Sequence, residues 1–152
     1  MSVTAKYSLE LPAIGDALWN SKSNANFDLI EAAMHTFFPA DIVEEDGVEL
    51  AYGDVVYLTA NGKWAKALAD GTKIPALGLV VEISPNILVQ RVGYFYKHDW
   101  SWSQSYWGKS IYLSDTEAGE LTVTKPTNGY AEAMGVVFSE NNIFILSDWD
   151  WK

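Results

Sequence analysis

The chain has 152 residues, a formal net charge of −10, 49% apolar and 14% aromatic residues, and no cysteine. Its length fits one compact domain, or a small domain with an appended arm. Disulfide staples, thiolate metal sites and cysteine nucleophiles are excluded; the acidic balance argues against nucleic acid or an anionic membrane as partner, since phosphate binding needs clustered Lys and Arg.

The ten basic residues are scattered with no two adjacent, and within residues 1–50 nine Asp or Glu stand against only Lys6 and Lys22. That imbalance fits either a solvated surface or a basic partner. No apolar run is long enough to cross a bilayer. Residues 1–12 lack the charged-then-apolar layout of a signal peptide. The expectation is a soluble protein made and kept in a cytoplasm.

Along the chain, Tyr7-Ser8-Leu9-Glu10-Leu11 alternates and stops at Pro12, which predicts a short strand or extended arm. The segment from Ile14 to Asn20 is a turn carrying Leu18 and Trp19. Ser23, Asn24 and Asn26 offer capping oxygens, and behind them Phe27, Ile30, Met34 and Phe37 or Phe38 fall at helical spacing. One amphipathic helix is predicted over residues 25–38, ended by Pro39. The acidic run Glu44-Glu45-Asp46 reads as a solvated loop, because three neighbouring carboxylates lack the alternating ligand spacing of a calcium loop.

From Val48 onward the pattern changes to short apolar segments separated by turns. Strands are predicted over residues 54–58, 63–68, 76–83, 87–92, 110–113, 121–124, 135–138 and 143–146. Asn61-Gly62, Asp70-Gly71 and Ser84-Pro85-Asn86 punctuate the first four, and residues 116–119, 126–129 and 140–142 the last four. The predicted fold is mainly β, an antiparallel barrel or sandwich preceded by an N-terminal arm and one α-helix. Residues 1–47 form the arm and helix, and residues 48–152 the β-domain.

That β-domain is a duplication, with copies over residues 53–92 and 108–146. Gly53-Asp54-Val55-Val56-Tyr57-Leu58-Thr59 matches Gly108-Lys109-Ser110-Ile111-Tyr112-Leu113-Ser114 at an offset of 55 residues. Ala76-Leu77-Gly78-Leu79-Val80-Val81 matches Ala133-Met134-Gly135-Val136-Val137-Phe138 at 57, and Asn86-Ile87-Leu88-Val89 answers Asn142-Ile143-Phe144-Ile145 at 56. One copy has too little strand area to enclose a core, whereas two copies can close or stack. Glycine near the head of each apolar strand allows a bulge, a bend or a close backbone approach.

Between the copies, residues 94–107 hold seven aromatic rings in fourteen residues: Tyr94, Phe95, Tyr96, Trp100, Trp102, Tyr106 and Trp107. Two readings stand: a platform for sugars, or rings packed on the β-domain or a neighbouring subunit. Trp100 and Trp102 alternate with serines, as expected if one face is buried. Trp149 and Trp151 near the C-terminus are expected to dock rather than stand in water.

Reactive groups are sparse. His35 falls on the predicted helix; His98 and Asp99 are adjacent, so on a strand they would point to opposite faces. Arg91 is the only arginine. There is no Gly-rich phosphate loop, two-histidine zinc motif or nucleophile elbow. A non-enzymatic protein without cofactor or metal is expected.

Two segments resemble virion proteins of tailed bacteriophages. Leu11-Pro12-Ala13-Ile14-Gly15-Asp16, Trp19-Asn20 and Asn24-Ala25-Asn26-Phe27-Asp28-Leu29-Ile30 are similar to leader segments of tail fibres and other appendage proteins. Residues 108–126, followed by Gly135-Val136-Val137, resemble small β-modules of phage fibres and capsid decoration proteins. The resemblance implies a structural virion protein made in the host cytoplasm and assembling without catalysis, usually as a homotrimer. Its implied partners are copies of itself and other virion proteins such as the major capsid or tail and fibre proteins. Fibres normally continue into a long shaft or large tip; ending at Lys152 favours a short appendage, adaptor or capsid-surface protein. The alternative function is a carbohydrate-binding module that reads host-surface glycan through residues 94–107. Candidate interface or ligand residues are therefore Trp19, Phe27, Tyr94, Tyr96, Trp100, Trp102, Tyr106, Trp107, Trp149 and Trp151.

Overall fold

The computed structural model describes residues 37–146. The predicted strand over residues 7–11, Trp19, Phe27, His35, Trp149 and Trp151 lie outside the described residues, as does the predicted helix over residues 25–38 except its last two positions. Those two are extended rather than helical: Phe37 bridges Gln90, and the Phe38 N–H donates to the Val89 carbonyl at 3.0 Å. Pro39 disfavours helix at the residue before it, and the neighbouring strand satisfies the backbone instead.

The described residues form two antiparallel sheets and almost no helix. The first sheet contains β1 (Val55–Leu58), β2 (Trp64–Lys66), β3 (Gly78–Glu82) and β4 (Leu88–Gln90), in the order β2-β1-β3-β4. The second contains β5 (Val92–Tyr96), β6 (Ser110–Leu113), β7 (Leu121–Thr122), β8 (Ala133–Val137) and β9 (Asn142–Leu146), in the order β5-β9-β8-β6-β7. The two copies thus share one strand order, β6 standing for β1, β7 for β2, β8 for β3 and β9 for β4. β5 is added beside β9 just as Phe37 and Phe38 lie beside β4. The sheets stay open and do not close into a barrel, which removes one of the two predicted architectures. Each copy completes a sheet of its own, and the chain leaves the first sheet at Gln90 and enters the second at Val92.

Local chemistry repeats as well. The Asp70 carboxylate accepts the Thr72 N–H at 2.8 Å, and the Asn128 side-chain oxygen accepts the Tyr130 N–H at 3.0 Å, so both copies bend at an Asx turn followed by glycine. Gly78 pairs with Val56 and Gly135 with Ile111. A Cβ on Gly78 would overlap the Gln90 carbonyl, and one on Gly135 the Phe144 carbonyl. The predicted close backbone approach is the reason for glycine at both places.

The sheets stack around shared apolar residues. Val55, Leu79, Ile111, Leu113, Val137, Ile143 and Ile145 are fully buried in one cluster that draws on both sheets. A second cluster, containing Val56, Trp64, Val80 and Val89, lies on the other face of the first sheet. There Phe38, Ile42, Val48 and Leu50 cover it, so residues 37–47, grouped from sequence with the arm, pack on β1–β4. Backbone bonds stitch the copies together: the Val55 N–H donates to the Gly119 carbonyl, and the Gly119 N–H to the Ala67 carbonyl, both at 2.8 Å.

Candidate functional site

The aromatic stretch does not act as one surface; strand alternation distributes it over three environments. On β5, Tyr94 and Tyr96 point outward and Phe95 inward, where it is buried. Trp100 follows Phe95 into the shared core, 5.7 Å between ring centroids, and Trp102 packs half-buried against Trp100 at 5.8 Å. Asn141 holds this return by donating its side-chain amide to the carbonyls of His98 and Trp100. Ser101 and Ser103 between the tryptophans are exposed, as the alternation predicts. Tyr106 and Trp107 remain exposed around a 3-10 turn, Gln104–Tyr106, with the Trp107 indole N–H donating to the Trp102 carbonyl at 3.3 Å. Trp100 and Trp102 therefore seal a core, and a sugar platform would fall to Tyr106 and Trp107.

Buried polar groups serve the backbone. Asp54 accepts the Ala51 N–H at 2.8 Å and pairs with Lys66 at 3.3 Å. Gln90 donates its side-chain amide to the carbonyls of Val92 and Tyr94, at 3.1 and 2.8 Å, and so occupies acceptors on the outer edge of β5. Ser114 accepts the N–H groups of Thr116 and Glu117. Glu132 accepts the Ala76 N–H at 3.0 Å across the stack; its burial pushes the carboxyl above the ordinary glutamate range.

The acidic run is tied down rather than free. Glu45 accepts hydrogen bonds from the Thr59 hydroxyl and the Asn61 amide of the β1–β2 turn, and these hold its carboxyl below the usual value. Asp46 pairs with Lys63 at 3.0 Å. Beside this run lies an open groove of about 260 Å3 lined by Glu44, Val48, Glu49, Leu50, Ile83 and Ile87, smaller than a typical small-molecule site. Among the described residues no group of three or more His, Asp or Glu side chains is gathered to hold a metal.

One surface escapes sequence reasoning. Tyr94 contacts Phe138 and Phe144 edge-to-face, with centroids 5.1 and 5.0 Å apart, on the outer face of the second sheet. Leu146 extends that patch beside Val92, and Val136 and Tyr112 continue it across β8 and β6. An antiparallel sheet facing water normally alternates apolar with polar residues, and this one does not.

No protein-family model, curated protein or solved structure gives a significant match to the chain.

The sites that remain are therefore defined by their own geometry. Of the sequence candidates, the structure brings Tyr94 and Tyr96 to the edge of the apolar face, and places Trp100 and Trp102 in or against the core. Tyr106 and Trp107 are exposed. Tyr112, Val136, Phe138, Phe144 and Leu146 are the members missed. Their signal was present as apolar residues at both parities of residues 136–138 and 143–146, where a solvated strand would alternate.

Proposed function

We propose that the chain is a structural component of a tailed-phage particle, assembling as a homo-oligomer on the capsid surface or the tail and fibre apparatus. The observation that carries this reading is how the polar side chains of the stacked repeats are used. Asp54, Gln90, Ser114 and Glu132 each fix a turn, an edge or a contact between copies, and none lines the groove beside the acidic run. A scaffold needs that rigidity, and the residues resembling phage β-modules, 108–126, supply the β6–β7 unit that Gly119 stitches to the first copy. The homotrimer and the N-terminal anchor come from the resemblance alone.

The test is direct. Particles of the encoding phage, purified through two density gradients, are expected to contain the protein at a fixed stoichiometry to the major capsid or tail protein. Its recovery only in the soluble lysate fraction would defeat the proposal.

A second reading, glycan recognition, is favoured by the exposure of Tyr106 and Trp107. Titration with host-surface glycans should then change the tryptophan fluorescence, and Trp107→Ala should abolish the change.

A further inference from the structure

We infer that copies of this chain join through the outer face of the second sheet, the face carrying Tyr94, Tyr112, Val136, Phe138, Phe144 and Leu146. The inference rests on the homo-oligomer reading above and names the surface that reading requires.

The internal repeat provides the first argument. Tyr57, Leu79 and Val81 of the first copy correspond to Tyr112, Val136 and Phe138 of the second, at the offsets of 55 and 57 residues. In the first copy Leu79 is fully buried and Tyr57 and Val81 pack against the shared core, because the second sheet covers them. In the second copy the same positions face outward: Tyr112 and Val136 are half-exposed, and Phe138 is 57% exposed. The module uses this face for stacking, and in the second copy the face is open among the described residues, with Tyr94 61%, Phe138 57% and Leu146 63% exposed. The face has kept its apolar character: Val136 stands for Leu79, while Phe138 stands for Val81, Phe144 for Leu88 and Leu146 for Gln90. A repeat face that stands in water is normally polar.

Charge identifies the occupant. None of the residues in β5, β6, β7, β8 or β9 is charged, whereas the first sheet carries Lys66 and Glu82. A basic partner would find no carboxylate to pair with here. A second copy, itself carrying −10, can approach closely only where neither surface brings acid to the contact, and this face meets that condition. Topology then fixes how the copies meet. Within the chain this face stacks on the opposite face of the next module, but the equivalent free face of the first sheet is covered by Phe38, Ile42, Val48 and Leu50. Head-to-tail growth is blocked, so the open face meets its own counterpart, around a closed symmetry axis.

The experiment is light scattering behind size exclusion on the full chain, with the double variant Phe138→Glu/Leu146→Glu, the single variant Tyr94→Glu on β5, and Val43→Glu as an exposed control off the face. Circular dichroism and thermal melts verify that each variant is folded. The wild type and Val43→Glu are expected to give a multiple of the 16.9 kDa chain mass. Both face variants should fall to a single chain, or weaken association at least about 100-fold, as for charges placed at an interface centre. A folded face variant that keeps the wild-type mass overturns the surface and leaves the homo-oligomer reading standing. A monomeric wild type at about 100 μM overturns both.

Discussion

The two glycines at matched positions of the repeat offer the sharpest test of the duplicated architecture. Adding a methyl at Gly78 drives it into the Gln90 carbonyl and to within 2.9 Å of a Val89 methyl; at Gly135 it meets the Phe144 carbonyl and the Leu146 nitrogen at 3.0 Å. Overpacking of a tight site costs about 1–3 kcal/mol, offset by about 0.4–1 kcal/mol from the stiffer unfolded chain. Gly78 has an ordinary backbone, but Gly135 has φ of +151°, where an L-residue is strained by a further ~1–3 kcal/mol. Gly78→Ala should therefore destabilise by about 2 kcal/mol and Gly135→Ala by about 4 kcal/mol. With a urea slope of about 2 kcal/mol/M, the unfolding midpoints should drop by ~1 M and ~2 M, read from the fluorescence of buried Trp64 and Trp100. The reasoning fails if both variants unfold within about 0.3 M of wild type, or if Gly78→Ala is the weaker of the two.

Further predictions concern packing, pH and the seam between copies. Phe95→Ala, at a ring 2% exposed, should cost about 3–5 kcal/mol in urea melts, whereas Tyr94→Ala, one residue away and outward, should cost under ~1 kcal/mol in the dissociated chain. Glu132 has its folded carboxyl raised, so the folded state holds its proton more tightly than the unfolded one; stability must fall as pH rises from about the ordinary glutamate value of 4.5 through the folded value. Glu132→Gln keeps an acceptor for the Ala76 N–H and should gain on wild type as pH is raised from 4 to 7; a difference that is flat with pH would contradict this. Asn128 caps its own turn and donates to the Ala69 carbonyl of the other copy, so Asn128→Ala should destabilise by about 1–2 kcal/mol, with faster amide exchange at Tyr130.

Much of the second copy is legible residue by residue. Ser110–Leu113 is a strand from its β-branched and aromatic alternation between Gly108 and the Ser114-centred turn, and the structure gives those bounds. β5 is not legible in the same way. Val92-Gly93-Tyr94-Phe95-Tyr96 has the period of a strand, but its aromatic density points equally to a ligand surface, and only the pairing with β9 decides. Barrel or open sheets is a question of whether edge strands find each other across the chain, and no local pattern encodes that. Gln90 helps settle it physically: its amide occupies the Val92 and Tyr94 carbonyls, where a further strand would have to bond. The end of the predicted helix fails for a related reason. Phe37 and Phe38 suit a helical stripe by spacing, but β4 offers them backbone partners and Trp64 an edge-to-face contact at 5.4 Å.

The repeat is asymmetric in use while symmetric in design. In the first copy the chain arriving from upstream lays Phe38 over Trp64, and in the second Phe95 of β5, beside Ile143, and Trp100 enter the shared core with Ile111. The opposite face is left for the next module. Two modules stacked in this way leave one face covered and one open, whatever residues fill them. Evolution could have closed the open face by making it polar at Tyr112, Val136, Phe138 and Phe144, at no cost to the shared core, because these side chains point away from it. Instead the strands carry no charge there and the rings of Tyr94, Phe138 and Phe144 interlock. An apolar face of this kind exposed on an isolated chain is an aggregation hazard, and the proposed pairing of copies through it would remove that hazard.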